Sequence, residues 1–177
     1  MKNVLVVVDM QKDFIDGSLG TTEAVAIVPN VVKKIRDFDG PIFATLDTHP
    51  KNYLETAEGK KLPVAHCINM TDGWLLNEDV MNALSDKDYR TIEKPTFGSL
   101  KLVSLIKDII DVEKDVNIEV VGLCTDICVV SNVLLLKANF PEIKITVDAS
   151  CCAGVTPETH QAALTTMKMC QIDIVNE

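Results

Sequence analysis

Apolar and polar positions follow two distinct periods along this chain. Val4 to Val8 is an unbroken, mostly β-branched apolar run, the pattern of a parallel strand buried on both faces. Ile27, Val28, Val31, Val32, Ile35 and Phe38 then recur at helical spacing, behind Thr21 and Thr22 as cap candidates. Pro29 inside that pattern predicts either a kink or the true helix start, and Gly40-Pro41 ends the helix. Ile42 to Leu46 reads as a strand, and Asp47 to Lys61 as a polar stretch with little periodicity. Asn77 to Leu84 predicts a short helix, Tyr89 to Ile92 a strand, and Ser99 to Ile110 an amphipathic helix.

The second half is more regular. Ile118 to Leu123 is a strand, Asp126 to Ala138 a helix and Ile143 to Val147 a strand. Pro157 to Cys170 is a helix and Ile172 to Val175 a last strand. Strands alternating with helices predict a single α/β domain over residues 1–177, with a mostly parallel sheet covered by helices on both faces.

Composition narrows the function classes. Apolar residues make up 47% of the 177 positions, enough to build a core. Apolar runs such as Val133 to Leu136 are far too short to span a membrane, and Met1 and Lys2 lead straight into a strand without a secretory leader. The expected compartment is the cytoplasm. A net charge of −9 with no basic stripe argues against nucleic acid as a partner. In that compartment the six cysteines are free thiols, metal ligands or catalysts before they are disulfides.

Open parallel sheets bind ligands beyond the carboxyl ends of their strands. Those ends read Asp9, Asp47, Lys94 and Cys124, with Cys151 and Cys152 after the fifth strand. No glycine-rich phosphate loop stands there, which removes support for a nucleotide role. In Leu123-Cys124-Thr125-Asp126-Ile127-Cys128, Thr125 can cap the following helix, placing Cys128 in its first turn. Helix-terminal N–H groups there favour a thiolate and could hold an oxyanion. Two other readings stay open at this point: a small buried cysteine, and a zinc site shared with Cys124. Asp9, at the end of the most apolar strand, is either a desolvated proton acceptor or a turn former beside Asp13 and Asp16. Lys94 is either a partner for those charges or a surface lysine. Asp47 and His49, two apart, can face the same way, and His66 lies in the same connection. Such a set can bind a divalent ion with positions left for water or substrate. His160 reads as structural.

Three segments resemble the isochorismatase-like cysteine hydrolases: Asp9-Met10-Gln11-Lys12-Asp13-Phe14, Glu93-Lys94-Pro95-Thr96-Phe97-Gly98-Ser99, and Gly122-Leu123-Cys124-Thr125-Asp126-Ile127-Cys128-Val129. The resemblance runs from about Asn3 to Val175. It implies a Rossmann-like three-layer α/β/α fold with a six-stranded, mostly parallel sheet. It also implies a triad of Asp9, Lys94 and Cys128 and a cis peptide before Cys124. The backbone N–H groups of Cys124 and Cys128 would form the oxyanion hole. Isochorismatases proper lack the cysteine.

Asp47, His49 and His66 are similar to the metal ligands of the nicotinamidase branch, and Glu58 falls near an extra acidic ligand of some members. The resemblance therefore implies a divalent metal, zinc or else iron or manganese, that orients a pyridine nitrogen, and pocket roles for Phe14 and Phe97. The implied reaction is hydrolysis of nicotinamide to nicotinate and ammonia, by a homo-oligomer acting on a small-molecule amide. One departure is visible: nicotinamidases usually carry an aromatic residue just before the last metal histidine, where this chain has Leu62, Pro63, Val64 and Ala65. Two alternatives are a metal-independent amidase acting on an N-carbamoyl or other small amide, and a non-catalytic or thiol-redox protein.

Overall fold

The computed structural model describes residues 2–113 and 115–177. Six strands form one sheet, β1 (Lys2–Val8), β2 (Ile42–Asp47), β3 (Tyr89–Lys94), β4 (Val116–Leu123), β5 (Lys144–Ala153) and β6 (Asp173–Val175). Their order is β3-β2-β1-β4-β5-β6, and every pairing is parallel, rather than only most of them. The order reverses on either side of β1, which puts the carboxyl ends of β1, β2, β3 and β4 together at a topological switch point.

Two apolar layers enclose the sheet. Val4, Val6 and Val8 of β1 face one core, with Leu102 and Ile106 of α4 (Leu100–Val112), Val133 and Leu136 of α5 (Val130–Asn139), and Leu164 and Met167 of α6 (Pro157–Met169). Leu5 and Val7 face the other, with Phe14 of α1 (Lys12–Ile15), Ile27, Val31 and Ile35 of α2 (Thr22–Asp37), and Val80 and Leu84 of α3 (Glu78–Leu84). The strict alternation in β1 follows from the two-residue period of a strand.

Some boundaries differ from the expectation for identifiable reasons. Helix α2 begins behind the Thr21 cap and runs through Pro29. The missing N–H of Pro29 would have bonded the carbonyl of Val25, and both residues are exposed, so water can serve that carbonyl. Strand β5 continues to Ala153 through a register shift between Val120 and Gly122 on its partner β4. Cys151 and Cys152 therefore lie within the strand, not after it. Polar Asp148 interrupts the apolar run there because it pairs with Lys34 of α2, 2.8 Å away. The helix expected from Asp126 is divided into a wide π-helical turn, Thr125–Val129, and α5. No side chain caps that turn, so Thr125 does not have the role its position suggested. Among the described residues no helix is long and apolar enough to cross a membrane.

Candidate active site

Asp9, Lys94 and Cys128 converge at the carboxyl end of the sheet. Asp9 follows β1 in a left-handed conformation, φ 47°, which aspartate tolerates and which turns its side chain out of the strand pattern. Lys94 ends β3, and Cys128 lies in the π-helical turn after β4. The Lys94 ammonium is 2.7 Å from Asp9 Oδ2, donates to Cys128 Sγ at 3.4 Å and to the Thr96 carbonyl at 3.2 Å. Thr45 donates its hydroxyl to Asp9 Oδ1 at 2.6 Å. Lys94 is 1% exposed, which excludes the surface-lysine reading.

Burial raises the Asp9 carboxyl above its ordinary pKa, opposed by Lys94 and Thr45. Lys94 is held protonated: burial acts against its charge, but Asp9, Cys128 and Asp47 outweigh it. The Cys128 thiol is pushed well up, first by burial and then by the Asp9 charge, against the pull of Lys94. Burial thus works against the thiolate that the helix position favours. Desolvation outweighs the helix-terminal field, and deprotonation requires a base.

A second cluster adjoins the first. Asp47 ends β2, His49 follows it, and Glu58 and His66 come from the long connection to α3. One ligand atom from each of the four lies within 4.8 Å of every other. His49 Nε2 is 2.8 Å from Asp47 Oδ2, yet among the described residues it is buried without a well-aligned hydrogen bond. His66 receives orientation from its Nδ1, 2.8 Å from the Val64 carbonyl, which leaves Nε2 facing Asp47 at 3.6 Å. Two imidazole nitrogens and two carboxylates aimed at one point, with one nitrogen unpaired, fit a divalent cation. Asp47 is held well below the usual carboxylate range: burial opposes this, and His49, His66 and Lys94 overcome it. Tyr53 packs against both histidines, with ring centroids 4.7 Å from His49 and 4.9 Å from His66.

A cavity of about 200 Å³ joins the two clusters. Cys124 and Cys128 line one part, and Asp47, Glu58 and His66 another. Phe14 and Phe97, the expected pocket aromatics, both line it, and so does Leu62, from the segment where an aromatic was missing. An engineered apolar cavity of about 150 Å³ admits benzene, so this volume suits a single ring with a small substituent. The peptide Leu123–Cys124 is cis. Cys151 and Cys152 fall in opposite cores of the sheet, which does not suit a reversible dithiol pair.

Several residues of the site escaped sequence reasoning. Gln11 is fully buried, accepts the Asp47 N–H at 2.7 Å and donates to the Asp47 carbonyl at 2.9 Å. Asn132 donates to the Cys128 carbonyl at 2.8 Å and to the Phe97 carbonyl at 3.0 Å, tying the thiol turn to the loop after β3. A signal for Asn132 was present: it is polar, four residues after Cys128, on an otherwise apolar helix face. Nothing local marked Thr45 or Tyr53.

The family model described as Isochorismatase domain matches residues 3–176. A nicotinamidase/pyrazinamidase from Bacillus subtilis superposes with a TM-score of 0.85 at 22% identity, covering 99% of this chain and 100% of that one. A pyrazinamidase of Pyrococcus horikoshii, solved in complex with zinc, gives 0.83 at 26% identity, with 100% of each chain covered. An N-carbamoylsarcosine amidase from Thermoplasma acidophilum gives 0.75 at 23% identity, covering 98% of this chain and 95% of that one. No curated protein sequence matches the chain.

Proposed function

Because the chain belongs to the isochorismatase family, we propose that it is a small-molecule amidase that hydrolyses nicotinamide to nicotinate and ammonia through a thioester on Cys128. The observation that carries this reading is the cavity, which exposes a thiol and a histidine-carboxylate cluster to the same ring-sized space. Cys128, Asp9 and Lys94 act in sequence. Asp9 accepts the thiol proton, and Lys94, beside both, balances the charge. The sulfur attacks the amide carbonyl, and the N–H groups of Cys124 and Cys128 hold the oxyanion. Asp9 returns the proton to the departing ammonia. Water, deprotonated by Asp9, then cleaves the thioester and restores the thiol.

A divalent ion, zinc or else iron or manganese, held by Asp47, His49 and His66 with Glu58 beside them, would orient the pyridine nitrogen of the substrate. Phe14 and Phe97 supply flat apolar walls for the ring.

An N-carbamoyl amino acid is a weaker candidate. It carries a carboxylate, and the cavity is lined by Asp47 and Glu58, while Lys94 is already paired with Asp9. Ammonia release from nicotinamide, beside a panel of N-carbamoyl compounds, tests the assignment. Rapid quenching should trap an acyl adduct on Cys128. Turnover of the carbamoyl compounds alone would reassign the substrate, and undiminished turnover by Cys128→Ala would reject the covalent route.

A further inference from the structure

The turn that carries Cys128 is tied to α6 by a histidine that the reaction scheme leaves idle. Thr125 opens the turn and is fully buried. Its Oγ1 lies 2.8 Å from Nδ1 of His160, in the first turn of α6. Next to it, the Cys124 carbonyl accepts the N–H of Ile127 at 3.1 Å and of Val129 at 3.0 Å, which shapes the wide turn. A second tie runs from the Val155 N–H to the Asp126 carboxylate, at 3.1 and 3.2 Å to its two oxygens. Gly154 allows α6 to approach closely: a Cβ there would stand 2.8 Å from the backbone nitrogen of His160. Burial lowers the His160 pKa, so at neutral pH the ring is uncharged and its Nδ1 can accept the Thr125 hydroxyl proton.

We propose that His160 is a positioning residue whose hydrogen bond with Thr125 sets the orientation of the Cys124–Cys128 turn. Through that turn it sets the place of the Cys128 sulfur beside Lys94 and Asp9. The physical reason is the burial of Thr125. A buried hydroxyl deprived of its partner is costly, and the short turn can relieve that cost only by shifting. A displacement of about 1 Å at reacting atoms can cost on the order of 100-fold in rate. His160 is not among the residues that line the cavity, and its side-chain hydrogen bond runs to Thr125, so we take Thr125 as the route by which it acts. The kinetic half of its test rests on the amidase reading, and the other half does not.

The test compares His160→Leu, Thr125→Val, the double variant and His160→Asn, whose amide can restore an acceptor where Nδ1 stands. Iodoacetamide alkylation of Cys128, followed by peptide mass spectrometry across pH, reads the thiol without any substrate. The kcat and KM for nicotinamide and the melting temperature complete the set. Each of the two single removals should lower kcat and Cys128 alkylation by roughly tenfold or more, with KM changed by less than about threefold. The alkylation pH profile should move with them. The double variant should be no worse than the poorer single one, because both remove the same bond. His160→Asn should recover most of the loss. Additive losses, losses that track the melting temperature, or a His160→Asn variant as poor as His160→Leu would overturn the proposal. Should the native chain release no ammonia from nicotinamide, the substrate assignment fails alone, and the alkylation pattern still decides this inference.

Discussion

The Lys94 ammonium lies 3.3 Å from the Asp47 carboxylate, so one buried cation joins the thiol cluster to the histidine cluster. The same ammonium is 2.7 Å from Asp9, and it balances two buried carboxylates at once. Lys94→Met should therefore cost stability as well as activity. Breaking a buried pair by removing one partner typically costs about 3–5 kcal/mol, and urea unfolding measures it. A variant as stable as the native chain would show that the pairing is weak.

Cys128 and Cys124 share the cavity wall, but only one sulfur is beside Lys94. Cys128→Ala should lose at least about 1,000-fold in ammonia release. Cys124→Ala should stay within about tenfold, because its part is a backbone N–H that alanine retains. Burial pushes the Cys124 thiol up to about 12, as it pushes the Cys128 thiol up, so the contact with Lys94 rather than the thiol pKa singles out Cys128.

The Asp9 carboxyl is raised by burial above its ordinary value of 3.8, and the scheme requires it ionised. Protonation on lowering the pH removes the base. The acid limb of kcat/KM should consequently lie above pH 3.8, with activity rising as the pH increases through it. An acid limb at or below that value would contradict the geometry of a desolvated base.

Gln11 grips Asp47 by both backbone groups, and His49 and His66 face the same point. Added zinc, iron or manganese should raise the melting temperature, by about 2.7 kcal/mol of stabilisation at a hundredfold excess over the dissociation constant. His49→Ala or His66→Ala should abolish that shift. Gln11→Leu should weaken metal affinity about 10- to 100-fold in calorimetric titration, since supporting partners of ligands have that leverage.

Asp148 sits away from the site, and burial alone would raise it. Hydrogen bonds from Lys34, Ser150 and Asn176 outweigh burial and lower its pKa below the ordinary 3.8. The unfolded chain therefore binds this proton more readily than the folded one. The stabilisation is present above pH 3.8 and is lost as the pH falls through the lower folded value. Urea unfolding between pH 2 and 6 should show a shallower acid loss for Asp148→Asn than for the native chain.

The fold was largely legible because burial on both faces leaves long β-branched runs such as Val4 to Val8, and amphipathic helices leave a 3.6-residue period. The strand ends then named Asp9, Asp47 and Lys94 without any contact information. Strand β5 was less legible, since its polar Asp148 reads as a terminus until Lys34, from a distant helix, is brought against it. The position of Cys128 after β4 was legible, but the balance acting on its thiol was not: helix position is local and favours a thiolate, whereas desolvation, which opposes it, depends on everything packed around the sulfur.

The sequence by itself determined the alternation of strands and helices, the order of the motif residues and the chemical types available at the sheet edge. Those follow from short-range periodicity and from side-chain chemistry. Only the tertiary structure decided that Lys94 is buried between two carboxylates, that Gln11 and Tyr53 support the histidine cluster, and that Thr125 faces His160 rather than capping its own turn. Each of these is a contact between residues far apart in the chain, and a local pattern carries no record of which distant group fills a given polar site.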